Sequence, residues 1–164
     1  MLSGFELVNM TNAMYVLQHP EILRKRPRRR SVIVLAIKPK YAKAIYEGRK
    51  NWEFRKAPPP IFREMYVYES APVSAITGTV TFSDSITGIP LSVWDIVKTN
   101  KCYTQNNPGV SFAELEAYTG KNTLTALRVF DFKRFDSPYP LPSGARPPQN
   151  WGRYYLKPES EVEK

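Results

Sequence analysis

Short apolar runs, separated by proline, glycine and polar residues, extend along the chain from residue 31 to residue 157. The first, VIVLAI at 32–37, is continuously apolar and rich in β-branched side chains, which predicts a buried strand. Polar and apolar residues alternate over 51–55, which predicts a second strand that ends before three consecutive prolines. The same patterns predict further strands over 65–70, 75–85, 124–135 and 147–156.

Two of these strands carry additional signals. Gly78 lies inside the strand over 75–85 and predicts a bend or bulge there. The strand over 124–135 is the longest, and its apolar side chains predict a mostly apolar inner face formed by Leu127, Val129, Phe130, Phe132 and Phe135.

Helices are predicted where the apolar spacing lengthens to three or four residues. Pro39 can occupy the first turn of a short helix that Gly48 ends. A second helix is predicted over 90–99, and a third over 111–118, where Ser111 and Glu114 have the spacing of a capping box. Five or six strands with two or three short peripheral helices predict an α+β fold built around a small mixed β-barrel.

The charge distribution divides the chain into three parts. The sequence RKRPRRR at 24–30 carries six positive charges in seven residues and has no apolar face, so residues 1–30 are predicted to be an N-terminal segment with an extended basic arm. Residues 31–157 form the predicted barrel domain, and residues 158–164 an acidic, frayed tail.

The formal net charge of +9 and the pI near 9.7 favour a polyanionic partner. Residues 31–164 alone still hold 18 Lys and Arg against 13 Asp and Glu, so the arm is not the only source of the positive charge. No apolar run is long enough to cross a membrane, and we therefore predict no membrane partner.

Cysteine and histidine are almost absent. Cys102 is the only cysteine and His19 the only histidine, which excludes an intrachain disulfide, a cysteine-rich zinc site and a Ser-His-Asp triad within the barrel. We predict no metal, no cofactor and a cytoplasmic, intracellular location, or a nuclear one if the source is eukaryotic.

Five segments together resemble the ASCH domain family, a branch of the PUA-like superfamily. They are IKPKYA at 37–42, GRKNWEFR at 48–55, YVYESAPV at 66–73, GTV at 78–80 and PPQNW at 147–151. The resemblance covers roughly residues 31–157. It implies a PUA-like barrel with a cleft between the 48–55 segment and the opposite strands, which takes RNA, single-stranded DNA or a modified nucleobase.

The resemblance also implies an enzymatic alternative. One ASCH branch is similar to an amidohydrolase that removes the acetyl group from N4-acetylcytidine with a lysine, a threonine three residues later and a downstream glutamate. Lys50 matches the lysine, but Glu53 occupies the threonine position, and no acidic residue lies between Lys98 and Ala113. The departures favour recognition over this chemistry.

The candidate binding residues of the barrel follow from these segments. Glu53 and Arg55 share one face of an extended strand, either as a structural salt bridge or as a pair that faces a base or phosphate. Lys38 and Lys40 flank the start of the first helix, where a phosphate site and ordinary surface charge are both open. The complete set is Lys38, Lys40, Lys50, Glu53, Arg55, the rings of Tyr68 and Trp151, and their polar neighbours Ser70 and Gln149.

The arm contributes Arg24, Lys25, Arg26, Arg28, Arg29 and Arg30. These side chains could contact phosphates, act as a nuclear import signal or form a solvated linker. Phosphate contacts would raise affinity without base preference.

We therefore predict a regulatory, nucleic-acid-binding module for RNA or single-stranded DNA. Two alternatives stay open. One is a hydrolase or nuclease that acts on nucleic acid or a modified nucleoside, with Lys50, Glu53 and Arg55 as its polar centre. The other is a scaffold whose residues 1–30 dock to a protein partner.

Overall fold

A computed structural model describes residues 31–99, 106–120 and 122–155. Six strands and three helices follow one another in the order β1 (Ser31–Ile37), α1 (Pro39–Tyr46), β2 (Trp52–Arg55), β3 (Met65–Glu69), β4 (Ala75–Gly88), α2 (Pro90–Thr99), α3 (Phe112–Thr119), β5 (Leu124–Tyr139) and β6 (Trp151–Tyr155). The α+β class and the predicted order of strands and helices are confirmed. The predictions for the basic arm, for Cys102 and for the acidic tail lie outside the described residues.

All six strands belong to one mixed sheet in the order β2-β5-β4-β3-β1-β6. Neighbouring strands are antiparallel except β1 and β3, which run parallel with Val34 opposite Tyr66 and Ile37 opposite Glu69. Parallel neighbours need a crossover connection, and the chain makes it through α1 and β2. The carboxyl ends of β1 and β3 therefore lie side by side, close to the start of α1.

The sheet does not close into a barrel, which corrects the barrel prediction. Among the described strands, β2 and β6 are the two edges, and no ladder joins them. The chain leaves β2 through three prolines at 58–60, which have no N–H group to donate to a neighbouring strand. Side chains bridge the edges instead: Asn150 Nδ2 and Trp151 Nε1 donate to the carbonyl oxygen of Ala57 at 2.7 and 3.2 Å.

The apolar run of β1 is buried on both faces of the sheet. Ile33, Leu35 and Ile37 pack with α1 residues in the main hydrophobic cluster, whereas Val34 packs on the other face with Tyr68 and Ile76. A strand that is covered on both faces has a continuous apolar run, which is the pattern seen in the sequence. A third cluster lies beneath α2 and α3 and contains Trp52, Val93, Val97 and Leu115.

The outer half of β5 differs from the prediction. Leu127 and Val129 are buried as expected, but Phe130 and Phe132 are 74% and 38% exposed. The register of β4 with β5 shifts between Thr81 and Phe82, where one residue of β5 has no partner in the ladder. Phe130 is that unpaired residue, and an extra residue at a bulge changes which side chains face the core. Phe135, farther along β5, is half-buried and packs with Val34, Tyr68 and Ile76, so the predicted inner face is interrupted at Phe130 and Phe132.

Two local predictions are confirmed. The register shifts between Ile76 and Gly78, at the glycine expected to mark a bulge. Ser111 caps α3: its hydroxyl accepts from the Glu114 N–H, and the Glu114 carboxylate accepts from the Ser111 N–H.

Candidate functional site

A buried ionic cluster lies where the 48–55 segment enters β2. Lys50, Glu53 and Arg55 are 2%, 5% and 7% exposed. Lys50 Nζ lies 3.6 Å from Glu53 Oε2, and Arg55 Nη2 lies 2.9 Å from Glu53 Oε1. Glu53 and Arg55 lie on the same side of β2 because side chains alternate along a strand. Lys50 precedes the first residue of β2, so this alternation does not determine the direction of its side chain. One carboxylate therefore stands between two cations inside the protein.

The segment 106–110 covers Lys50. Lys50 Nζ donates to the Pro108 carbonyl at 2.8 Å, and the Asn51 N–H and side-chain oxygen pair with the backbone of Asn107 at 3.0 and 2.7 Å. Gly109 lies so close that a Cβ there would be 2.6 Å from Lys50 Cγ. Burial lowers the pKa of Lys50, and the Glu53 carboxylate opposes that effect. The ammonium is therefore enclosed rather than presented to a ligand.

Arg55 connects the cluster to β1 and to the residue that precedes β6. Its Nη2 donates to the Ala36 carbonyl on β1 at 2.6 Å, and its Nη1 donates to Asn150 Oδ1 at 2.9 Å. The fork of the guanidinium thus holds β2 against β1 and against the residue that precedes β6. This geometry is that of an internal brace across the unclosed side of the sheet.

Exposed cations gather outside this cluster, around a surface cleft between α1 and β5. We call it the α1–β5 cleft. Its volume is about 350 Å³, and it is lined by Pro39, Lys40, Lys43, Tyr46, Glu69 and Arg134. The α1 residues are spaced so that they share one helical face, and Arg134 comes from β5 beside Gly78. The cleft therefore combines three cations with one carboxylate and one phenol.

Glu114, in the first turn of α3, accepts hydrogen bonds from two α1 side chains next to the α1–β5 cleft. Its Oε1 accepts from Lys40 Nζ at 2.9 Å and from the Tyr41 hydroxyl at 3.4 Å. The Ser111 N–H, followed by the Lys40 ammonium, lowers the pKa of Glu114 to about 2. Glu114 therefore connects α1 to α3 as well as capping α3.

The pKa of Glu114 predicts an acid-dependent loss of stability. A carboxyl whose pKa falls from 4.5 to about 2 on folding stabilises the protein above pH 4.5, and this contribution is lost as the pH falls toward 2. We expect Glu114→Gln to lower the melting temperature at pH 7, and the difference from wild type to shrink as the pH is lowered through that window. Thermal melts followed by circular dichroism test this.

The control for the acid melts is Glu116→Gln, since Glu116 is an exposed neighbour on α3 whose side chain makes no hydrogen bond with the described residues. Its melting temperature should follow wild type throughout. A constant gap between Glu114→Gln and wild type from pH 7 to pH 2 would contradict the prediction.

The other sequence-predicted residues are dispersed. Lys38 is exposed just before α1, Ser70 donates its N–H to the Ile37 carbonyl at 3.1 Å, and Gln149 is exposed. Trp151 is half-buried against the main hydrophobic cluster. Tyr68 is buried between Val34 and Ile76, so its ring is core and does not face a cleft. The six arm cations lie outside the described residues.

Sequence reasoning missed several residues of both regions. Asn150 lies next to the predicted Gln149 but supplies the contact with Arg55, and Glu114 was interpreted only as a helix cap. Tyr46, Glu69 and Arg134 carry no local signal, because each sits in an ordinary helix or strand pattern. Glu69 lies within the family-like segment 66–73, and its membership of that segment is the one signal that could have directed attention to it.

Neither a metal site nor a membrane helix is visible in the described part of the chain. No group of three or more metal-ligating side chains is found there. None of its helices is long and apolar enough to span a bilayer.

The comparisons with known proteins agree with this architecture. The described fold, a mixed six-stranded sheet with three helices, is similar to the fold of solved ASCH proteins. The ASCH domain model matches residues 35–123, more than half of the chain, and the protein belongs to the ASCH domain family. No curated protein matches the sequence.

Crystal structures of an ASCH protein from Zymomonas mobilis share the fold. One of them superposes with a TM-score of 0.63 at 22% identity and covers 79% of this chain and 90% of the other. A serine-to-alanine variant gives a TM-score of 0.63, 22% identity and coverages of 79% and 91%. A tyrosine-to-phenylalanine variant gives 0.61, 22%, 81% and 95%.

Proposed function

We propose that this domain binds RNA or single-stranded DNA through the cations that α1 and β5 present around the α1–β5 cleft. The observation that carries this proposal is the convergence of Lys40, Lys43 and Arg134 on one concave surface. Exposed lysine and arginine side chains bind phosphates and release counterions. In this proposal the Lys50, Glu53 and Arg55 cluster holds the fold together and does not touch the ligand.

Exposed rings lie beside these cations on β5. Phe132 and Arg134 are two residues apart in a regular stretch of the ladder, opposite Val80 and Gly78, so they project from the same face. Phe130 stands at the bulge just before them and is largely exposed. An aromatic ring next to a phosphate-binding cation suits an unpaired base, since stacking contributes about 1–3 kcal/mol per base. The proposed surface thus has a place for both backbone and base.

The basic arm extends the same proposal. Its six cations at 24–30 would contact neighbouring phosphates without reading bases. Deletion of residues 1–30 should therefore lower affinity for all single strands alike and make the salt dependence shallower. Unchanged affinity together with the loss of a protein partner would instead favour the scaffold alternative.

A salt series tests the cleft directly. The dissociation constant of a labelled single-stranded RNA should rise steeply with salt. Because each neutralised phosphate of a single strand adds about 0.7 to the slope, Lys43→Ala combined with Arg134→Ala should make the slope shallower by about that amount for each phosphate that these side chains neutralise. Fluorescence anisotropy at several salt concentrations measures affinity and slope.

The matched control for the salt series is Lys98→Ala, which removes an exposed lysine on α2, away from the cleft-lining residues. It should leave slope and affinity as in wild type. The proposal fails if neither RNA nor DNA binds with a salt-dependent affinity, or if the cleft variants match the control.

One observation supports the hydrolase or nuclease alternative. Lys50 lies in the family segment with a lowered pKa and a carboxylate 3.6 Å away, which are properties found in catalytic lysines. Incubation with acetylated and unmodified nucleosides and oligonucleotides, followed by mass spectrometry, would reveal a product. Turnover that Glu53→Gln abolishes would support an enzyme.

A further inference from the structure

The α1–β5 cleft contains one carboxylate that the proposed phosphate binding does not use. Glu69 is the last residue of β3 and lines the cleft, yet it is only 7% exposed. Its side chain forms no hydrogen bond or ion pair with any described residue. Its carboxylate oxygens are not among the fully buried side-chain atoms without a partner, so they are open to the cleft and can accept from a hydrogen-bond donor of a ligand there.

The position of Glu69 follows from the sheet topology. The parallel strands β1 and β3 end together at Ile37 and Glu69, and the first turn of α1 begins two residues after Ile37. Crevices at the carboxyl ends of parallel strands are common ligand sites, because loops diverge there. Glu69 thus forms the floor of the cleft, and the cations lie at its rim.

Tyr46 makes a rigid wall of the same cleft. Its hydroxyl lies 3.0 Å from Thr77 Oγ1, and the guanidinium of Arg134 lies 5.9 Å from its ring centroid. Gly78 lets the ring approach the strand, because a Cβ at that position would be 2.7 Å from the Tyr46 hydroxyl. Burial raises the pKa of Tyr46 to about 12, so the phenol stays neutral.

The positive charges at the rim of the cleft disfavour a metal ion or another small cation as its ligand. Lys40 is engaged by Glu114, but Lys43 makes only a 3.9 Å contact with exposed Glu47, and Arg134 makes no ion pair with a described residue. A single carboxylate among three cations is a poor metal site. An anion alone would pair with the rim cations but would leave Glu69 without a hydrogen-bond donor. The ligand must offer N–H donors at one end and negative charge at the other.

We propose that the α1–β5 cleft binds a nucleotide whose base carries an exocyclic amino group, with that amino group donating to Glu69 and the phosphate contacting Lys43 and Arg134. The cleft volume of about 350 Å³ lies within the range of small-molecule sites. This inference rests on the proposed function, to which it adds a base preference. The nucleotide is either free or part of a strand, and the experiment separates the two sources.

Cytosine and uracil provide the sharpest pair of probes, since cytosine presents an amino donor where uracil presents a carbonyl acceptor. Glutamate accepts from the cytosine amino group but has nothing to donate to the uracil carbonyl at the same ring position, so uracil can pair with it only through its ring N3–H. We expect cytidine monophosphate to bind about 5-fold or more tightly than uridine monophosphate, or an oligocytidylate to exceed an oligouridylate by the same factor. Isothermal titration calorimetry measures the mononucleotides, and anisotropy measures the strands.

Glu69→Gln gives a readout that a merely structural residue would not affect. A glutamine amide can donate to uracil as well as accept from cytosine, so the preference should collapse to near equality while binding persists. Glu64→Gln, at an exposed carboxylate just before β3, is the control and should keep the preference. Thermal melts verify that both variants are folded.

Each outcome decides the inference. The inference is supported if the protein prefers cytosine and Glu69→Gln removes that preference. A preference seen with mononucleotides identifies a free nucleotide as the ligand, and one seen only with oligonucleotides identifies a strand. Salt-dependent strand binding with equal affinity for both bases overturns the base preference but leaves the proposed function intact. Absence of binding to every probe overturns both.

Discussion

Glu53→Ala is expected to lower the free energy of unfolding by about 3–5 kcal/mol, because removal of one partner leaves buried charges uncompensated. Both Lys50 and Arg55 would lose their carboxylate at 3.6 and 2.9 Å while they remain enclosed by segment 106–110 and by β1. Urea unfolding followed by tryptophan fluorescence measures the change, provided that the slope of the transition is unchanged.

The matched control is Glu47→Ala, which breaks an ion pair with Arg49 at the surface. Exposed ion pairs contribute little, so its unfolding midpoint should stay close to that of wild type. Glu53→Gln keeps the shape and one hydrogen-bond acceptor and should fall between wild type and Glu53→Ala. Equal stability of Glu53→Ala and Glu47→Ala would show that the cluster is not an internal brace.

The Glu53 variants also distinguish a structural role of the Lys50, Glu53 and Arg55 cluster from a role in nucleic-acid binding. If the cluster only braces the sheet, Glu53→Gln should bind single-stranded RNA with wild-type affinity under conditions where it is folded. If the cluster faces a base or phosphate, as the sequence also allowed, the affinity should change without a matching loss of stability. Anisotropy and urea unfolding on one protein preparation provide both numbers.

Gly78→Ala is expected to destabilise the fold by about 3 kcal/mol, at the upper end of overpacking effects. A Cβ at Gly78 would lie 2.1 Å from the Lys133 carbonyl oxygen on β5 and 2.7 Å from the Tyr46 hydroxyl. The nearer atom belongs to the backbone, so it cannot rotate away, and β4 and β5 would have to separate at the bulge. Urea unfolding measures the loss.

Gly88→Ala is the control in the same strand. Its added methyl group would meet only Val93 Cγ2 at 3.5 Å, an ordinary contact. We expect its stability to change by less than about 0.5 kcal/mol. A loss at Gly88 as large as that at Gly78 would mean that any methyl group on β4 is harmful and that the close approach to β5 is not the cause.

Local features of the fold were readable from the sequence because short-range interactions determine them. The capping box of α3 needs only Ser111 and Glu114 at the right spacing, and the start of α1 needs only a proline in its first turn. The bulge was predicted because a glycine, Gly78, interrupts the strand pattern. The burial of β1 was predicted because its apolar run is continuous. The pairing of Glu53 with Arg55 follows from strand alternation.

Register and topology lay beyond that reasoning. The parallel pairing of β1 with β3 and the open edges at β2 and β6 depend on contacts between distant segments. The exposure of Phe130 depends on a bulge that no residue type marks, so periodicity assigned it to the core. Lys50 was predicted as a binding residue of the cleft, yet segment 106–110 encloses it.

The sequence by itself therefore determined the strands, the helix ends, the excess of positive charge and the segments typical of the ASCH family, since each depends on neighbouring residues or on composition. Only the tertiary structure decided which charged side chains are buried and which are exposed at the surface. It buried the Lys50, Glu53 and Arg55 cluster, and it brought Lys43, Glu69 and Arg134 to one cleft from three distant elements. The physical reason is that burial and convergence depend on long-range packing and strand register, which local spacing does not encode.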